Sequence, residues 1–270
     1  MDTLLASLNR LPVLPAAVME VISGFDNPQL DSHDLATKIS HDQSLSARIL
    51  RMANSPFYGL PRQVASIQEA VMVLGFSSVR CLALAVGIAG AFPDTATVFP
   101  WSDYWKRSMM AAVYARSLAK CLKLDQEASF IAGLFHDIGL AVLAYGAPEL
   151  LAKAQVVAGE GDLLAAERSV MGFDHAQLGG EVVRRWNFPS TIEQAIRQHR
   201  SAAAGEGEPL MLVTHAASLL SLAAVAGASD TEECLPQLLQ AALGLDPERL
   251  RQCLPQQDDI EAACAALVST

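Results

Sequence analysis

The sequence predicts an all-α protein, and three observations carry that expectation. Apolar residues recur with helical spacing in nearly every segment, and no stretch alternates as a half-buried strand would. Hydrophobic residues make up 51% of the chain, led by leucine and alanine, while aromatics reach only 6%, a balance that favours packed helices over a β-sandwich. At 270 residues the chain can bury a substantial core as one large domain or two smaller ones.

Leu35 and Ile39, then Ile49 and Met52, then Val71 and Leu74, fit amphipathic helices. Asp42, in the doublet His41-Asp42, reads as the cap of the helix that holds Leu45 and Ile49. Asn54 lies at the end of that helix, and Pro56 stops its continuation. The Asn54 amide is therefore placed to satisfy orphan carbonyls or to bridge to the next helix, before Tyr58-Gly59 turns the chain. Ser66-Ile67-Gln68-Glu69 is a capping box. Asp125, Asp162, Asp174 and Asp246 are further N-caps, and Gly24, Gly75 and Gly172 are C-terminal stops.

Composition shifts at Phe92–Pro100, where two prolines bracket small polar residues and Trp101 opens a new helical run. The expected division is an N-terminal helical lobe over 1–98, a second helical lobe over 99–228 and peripheral C-terminal helices over 229–270. The Ser201–Pro209 stretch reads as a loop joining two helices.

A net charge of −10 repels phosphate backbones, which argues against direct nucleic-acid or anionic-membrane binding. The pair Arg184-Arg185 reads as a solvated helix face. Cys81, Cys121, Cys234, Cys253 and Cys264 show no C-x-x-C spacing and are expected to be small buried hydrophobes in a reducing cytosol. No basic region precedes an apolar stretch at the N-terminus, and the runs 81–92 and 210–228 are short or interrupted. A cytoplasmic protein without a membrane span is the expectation.

One stretch, AGLFHDIGL at 132–140, carries chemistry. His136 and Asp137 are two ionisable groups inside an apolar run, where burial is costly unless they are paired or ligate a metal. On a helix they would point about 100° apart and could both reach a groove between helices. Gly133 and Gly139 would permit close helix approach. His175, at the start of a later helix, and His199, at the end of another, could converge with the doublet on a hard or borderline cation.

GLFHDIG resembles the central signature of the HD superfamily of metal-dependent phosphohydrolases. FDHAQLGGEVVRRWNFPSTIEQAIRQH at 173–199 is similar to the later part of its HDOD branch. LPVLP at 11–15, HDQSLSARILRMANSPFYG at 41–59 and SIQEAVMVLGFSSVRCLAL at 66–84 resemble the N-terminal elements of HDOD proteins, in the same order. The resemblance spans about residues 8–200 and implies a multi-helix HD-like bundle with an N-terminal helical lobe.

Against the catalytic members of the superfamily, the chain departs at two ligand positions. The early histidine is replaced by Arg107, and the late aspartate is best matched by Ala217, with no acid between Pro209 and Ala228. The resemblance implies that one metal position would use the early histidine, His136, Asp137 and the late aspartate; two of these four are missing. Arg107 is permanently charged, opposes a cation there and is suited to pair with Asp137. The second position would draw on Asp137, His175 and His199, all present. Arg200 stands where binuclear GYP-type phosphodiesterases carry a further histidine, and Leu140 where they carry a lysine.

The resemblance therefore implies a non-enzymatic bacterial signal-transduction module with a degenerate site at Arg107, His136, Asp137, His175 and His199. No cofactor is required. The remnant at Asp137, His175 and His199, with His136 as a further candidate ligand, would hold one divalent ion such as iron, manganese or nickel. The expected partners are signalling proteins in trans, or a receiver or cyclic-dinucleotide domain outside this chain. The alternatives are a weak mononuclear phosphohydrolase and a nucleotide-binding sensor.

Overall fold

Local capping chemistry cuts the chain into successive α-helices, and a computed structural model describes them over residues 12–24, 32–92, 99–159, 161–200, 207–228 and 234–268. Leu11, the 93–98 stretch at the expected lobe boundary, residues 201–206 of the expected loop and the side chain of Leu35 lie outside the described residues.

Helix α1 (Ala16–Ser23) stops at Gly24, and α2 (Ser32–His41) is separated from α3 (Gln43–Ala53) by Asp42, whose carboxylate accepts from the Leu45 N–H at 3.0 Å. The Asn54 amide bridges to Val64, donating to its carbonyl at 2.9 Å and accepting from its N–H at 2.8 Å. A 3-10 turn at Pro56–Tyr58 lies inside that clamp and ends at Gly59 in the left-handed region, φ 55°. Ser66 caps α4 (Ile67–Leu74). The return arm of the expected capping box differs: Glu69 accepts from the Ala65 N–H at 2.8 Å rather than from Ser66, because Arg62 also draws its carboxylate outward. Gly75 then passes the chain into the apolar α5 (Phe76–Ala89).

The long α6 (Trp101–Leu122) is the spine, packed by α7 (Gln126–Phe135) and by later helices. After it come α8 (Ile138–Gly146), α9 (Pro148–Ala158), α10 (Leu163–Met171), α11 (His175–Arg185) and α12 (Ser190–Gln198). The chain continues with α13 (Pro209–Val225), α14 (Gln237–Ala242), α15 (Pro247–Cys253) and α16 (Gln257–Val268). Asp125, Asp162, Asp174 and Asp246 cap α7, α10, α11 and α15 with their carboxylates, and Gly172 ends α10 at φ 80°. No strand occurs among the described residues. Buried side chains of the early helices, such as Ile49 and Leu82, belong to the same apolar cluster as Met109, Phe135 and Leu212.

The cysteine reading needs correction. Cys121 at the end of α6 and Cys253 at the end of α15 form a disulfide, with Cα atoms 5.7 Å apart. Their separation of 132 residues hides the pairing from local inspection. Cys81 and Cys264 are buried and free, as expected for small hydrophobes. Disulfides persist under oxidising conditions, so the bond does not fit the expectation that all five are reduced. Among the described residues, one helical stretch, 126–146, has the length and apolarity to cross a membrane, and 89% of its most apolar window is buried within the fold.

Candidate functional site

The His136-Asp137 doublet does not lie within a helix. It forms the break between α7 and α8, with Asp137 at φ −106°, ψ 19°, and the Leu140 N–H closes the turn on the Asp137 carbonyl at 2.8 Å. Apolar sequence on both sides disguises this break as one continuous helix. The break turns both side chains into the interior, where neither is solvent-exposed.

Two glycines make that position reachable. A Cβ on Gly133 would lie 2.7 Å from the Ala111 carbonyl oxygen, so its absence lets α7 close on α6. A Cβ on Gly139 would lie 2.0 Å from the His175 carbonyl oxygen and 2.9 Å from the Gly179 nitrogen. That contact seats the first turn of α11 against α8 and brings His175 to Asp137. His199 reaches the same point from the C-terminal end of α12.

The Asp137 carboxylate is divided between two sets of partners. Oδ2 pairs with the Arg107 guanidinium from α6 and lies 3.2 Å from His136 Nε2. Oδ1 faces His175 Nε2 at 3.2 Å and His199 Nε2 at 3.5 Å. Arg107 therefore occupies the side on which His136 lies, and His175 and His199 hold the other.

Each imidazole is oriented from behind. His136 Nδ1 donates to the Gly133 carbonyl at 2.7 Å, and His199 Nδ1 donates to the Ile196 carbonyl at 2.8 Å. His175 Nδ1 meets Glu167 Oε2 at 2.7 Å, and the same oxygen accepts the His175 backbone N–H at 2.8 Å. With Nδ1 engaged, each Nε2 is turned toward the carboxylate. Burial would raise the Asp137 pKa, but the charges of His136 and Arg107 outweigh it and hold the carboxyl well below its usual range. Burial likewise opposes charge on His175, yet the adjacent carboxylates of Asp137 and Glu167 outweigh it and raise the pKa to about 9. Burial dominates at His199 and lowers it to about 4.

Nε2 of His136, His175 and His199 and Oδ1 of Asp137 are all buried without a hydrogen-bond partner of acceptable geometry. Buried polar atoms are normally hydrogen-bonded, so four unpaired ones facing one another are suited to an occupant such as water or an ion. The ligand atoms of Asp137, His175 and His199 lie within 4.8 Å of one another, and two imidazoles with one carboxylate suit a borderline divalent cation. Glu167 behind His175 supplies the carboxylate–histidine support that metal sites use. His136 faces Oδ2 and Arg107 instead.

Sequence inspection missed Glu167. It is fully buried, and its one local signal is an acid on the apolar stripe of α10, beside Ala166 and one turn from Leu163. Ala217 is buried on α13, which packs against α6, α7 and α12. Arg200 follows His199, and its Nε is buried without a partner. Nearby on α13, His215 is lowered to about 4 by burial and by Arg200, with the His199 backbone pulling the other way.

A sequence profile of the HDOD domain matches residues 11–202. An uncharacterised protein of Treponema pallidum (strain Nichols) is 28% identical over 211 residues, which cover 76% of this chain and 40% of that protein. The chain thus spans less than half the length of that curated relative. Among solved structures, a candidate phosphohydrolase from Shewanella amazonensis SB2B superposes with a TM-score of 0.83 at 26% identity, covering 98% of this chain and 97% of the other. A candidate signal-transduction protein from Marinobacter aquaeolei VT8 gives 0.75 at 25% identity, covering 100% of this chain and 65% of that one.

Proposed function

From the premise that this chain belongs to the HDOD family, we propose that it is a non-enzymatic signalling module that acts by binding a protein partner or a small ligand. The observation that carries this reading is the Arg107 guanidinium on Oδ2 of Asp137. The resemblance implies that catalytic members of the superfamily bind their first cation on this side of the aspartate, and a fixed positive charge there opposes it. Burial points the same way. The side chains of His136, Asp137 and His199 have no exposed surface and His175 has 2%, so a phosphoester has little access to them. The similarity to a candidate signal-transduction protein supports the signalling role. Partners in trans, or a receiver or cyclic-dinucleotide domain outside this chain, would receive the signal.

A second reading rests on Oδ1. Asp137, His175 and His199 would hold one divalent ion, which when bound would supply Lewis acidity to a water or phosphoryl oxygen. The chain's own contribution would be to orient the imidazoles through Glu167, Gly133 and Ile196 and to exclude bulk water.

Hydrolysis assays with phosphomonoesters, phosphodiesters and nucleotides, each with added iron, manganese or nickel, separate the two readings. The signalling reading expects turnover no greater than that of Asp137→Asn. Turnover that disappears in Asp137→Asn and His175→Ala would overturn it in favour of the hydrolase.

A further inference from the structure

The NSPFYG segment has a second consequence beyond the Asn54 clamp. A cavity of about 350 Å³ opens where the Pro56–Tyr58 turn meets α6, the start of α7 and the entry to α16. Arg116 and Lys120, one turn apart on α6, both line it. Neither has an ion-pair partner among the described residues. Among the described lining residues Asp259 is the only acid and is exposed, which leaves them with one net positive charge. Glu127, at the start of α7, is engaged by Arg80 at 3.8 Å. In a chain with 29 acidic and 19 basic residues, two neighbouring cations against one acid form a locally positive field open to an anion.

A buried donor lies behind the cavity wall. Tyr58 lines the cavity, and its hydroxyl is buried beside the Arg116 guanidinium with no hydrogen-bond partner of acceptable geometry. Burial raises its pKa, so it remains a neutral O–H donor. A guanidinium fork and an ammonium on the wall of one cavity match the oxygens of a phosphate group. Phe57 and Pro255 give the cavity an apolar wall beside those donors.

We infer that this cavity binds a phosphate-bearing small molecule, with the phosphate held by Arg116 and Lys120, the buried Tyr58 hydroxyl positioned beside Arg116, and the body along Phe57 and Pro255. The bound molecule touches the Pro56–Tyr58 turn, α6 and the entry to α16 together, so it ties N-terminal elements to the C-terminal tail. The site is separate from Asp137 and independent of any chemistry there. The rival location is the cavity of about 360 Å³ lined by Arg168, Arg197 and Arg200 beside the start of α11. There Arg168 is already paired with Asp174 and Arg197 with Glu193.

Calorimetric titration of the full chain with inorganic phosphate, and then with phenyl phosphate, tests the inference at constant ionic strength. The expected result is saturable one-to-one binding. Loss of one charged hydrogen-bonding group should weaken it by about ten- to a hundredfold in Arg116→Gln and Lys120→Gln, and it should be unchanged in Arg200→Gln. Tighter binding of phenyl phosphate identifies a phosphomonoester as the ligand class, and equal binding identifies free phosphate. Lys120 is exposed, so its variant keeps the test valid if Arg116→Gln folds poorly. Absence of saturation with either probe overturns the inference, as does binding lost in Arg200→Gln but retained in Arg116→Gln and Lys120→Gln.

Discussion

Replacing Arg107 with alanine puts the electrostatic account of the site under direct strain. In the native fold the Arg107 side chain is 20% exposed and Asp137 is fully buried, so the pair is largely desolvated. Removing one partner of a buried pair costs about 3–5 kcal/mol, because the remaining charge is left in a low-dielectric interior. Here His136 and His175 stay within 3.2 Å of the carboxylate and soften the loss. The expected cost is therefore at the lower end, about 3 kcal/mol. At about 2–4 °C per kcal/mol for a chain of this size, the melting temperature should fall by about 6–12 °C. Urea unfolding at pH 7 with a chelator present measures the cost without any contribution from a bound ion. Arg107→Lys should recover part of the stability, since an ammonium retains the charge but not the planar fork. The double variant Arg107→Ala/Asp137→Asn should cost less than the sum of the two single variants. A loss below about 1 kcal/mol for Arg107→Ala, the level of a surface pair, or strict additivity in the cycle, would refute the reasoning.

Three further outcomes follow from particular contacts. Gly139→Ala places a methyl 2.0 Å from the His175 carbonyl oxygen, and since both opposing groups are backbone, the fold should lose at least about 1–3 kcal/mol, read as a lower urea midpoint. Cys121→Ser opens a crosslink between residues 132 apart, for which chain entropy gives about 5 kcal/mol, and non-reducing electrophoresis beside thermal melting should show loss of both the bond and the stability. Glu181 is held at about 2, chiefly by hydrogen bonding from Arg184, so its contribution is complete above the unfolded carboxylate value and disappears as pH falls toward 2. Because this cluster is solvent-screened, Glu181→Gln should flatten that acid limb by less than about 1 kcal/mol, measured as melting temperature against pH.

The parts of this fold that could be read from sequence are those decided by a few neighbouring residues. The caps at Asp42, Asp125, Asp162, Asp174 and Asp246 each need only a carboxylate and the next turn of backbone, and all five form. The glycines flanking the doublet were legible for the same reason, since a missing Cβ has a direct steric meaning. Arg107 was legible by its position relative to a motif, and the structure brings it to Asp137. The break at His136-Asp137 was hidden because apolar residues on both sides satisfy helical periodicity, while the turn depends on packing against α11. Glu167 was hidden because its role arises only where α10 lies beside the start of α11. The Cys121–Cys253 bond was hidden by chain separation, since spacing rules read neighbouring cysteines and not the joining of α6 to α15.

Under the proposed reading, Arg107 takes one of two metal positions and leaves the Oδ1 side of Asp137 as the place for an ion. Metal stoichiometry of purified protein, wild type beside Arg107→His/Ala217→Asp, tests it most directly. At most one divalent ion per chain is expected in the wild type, lost on His175→Ala, and one additional ion in the double variant. Two ions per wild-type chain, or no gain in a folded double variant, would contradict it.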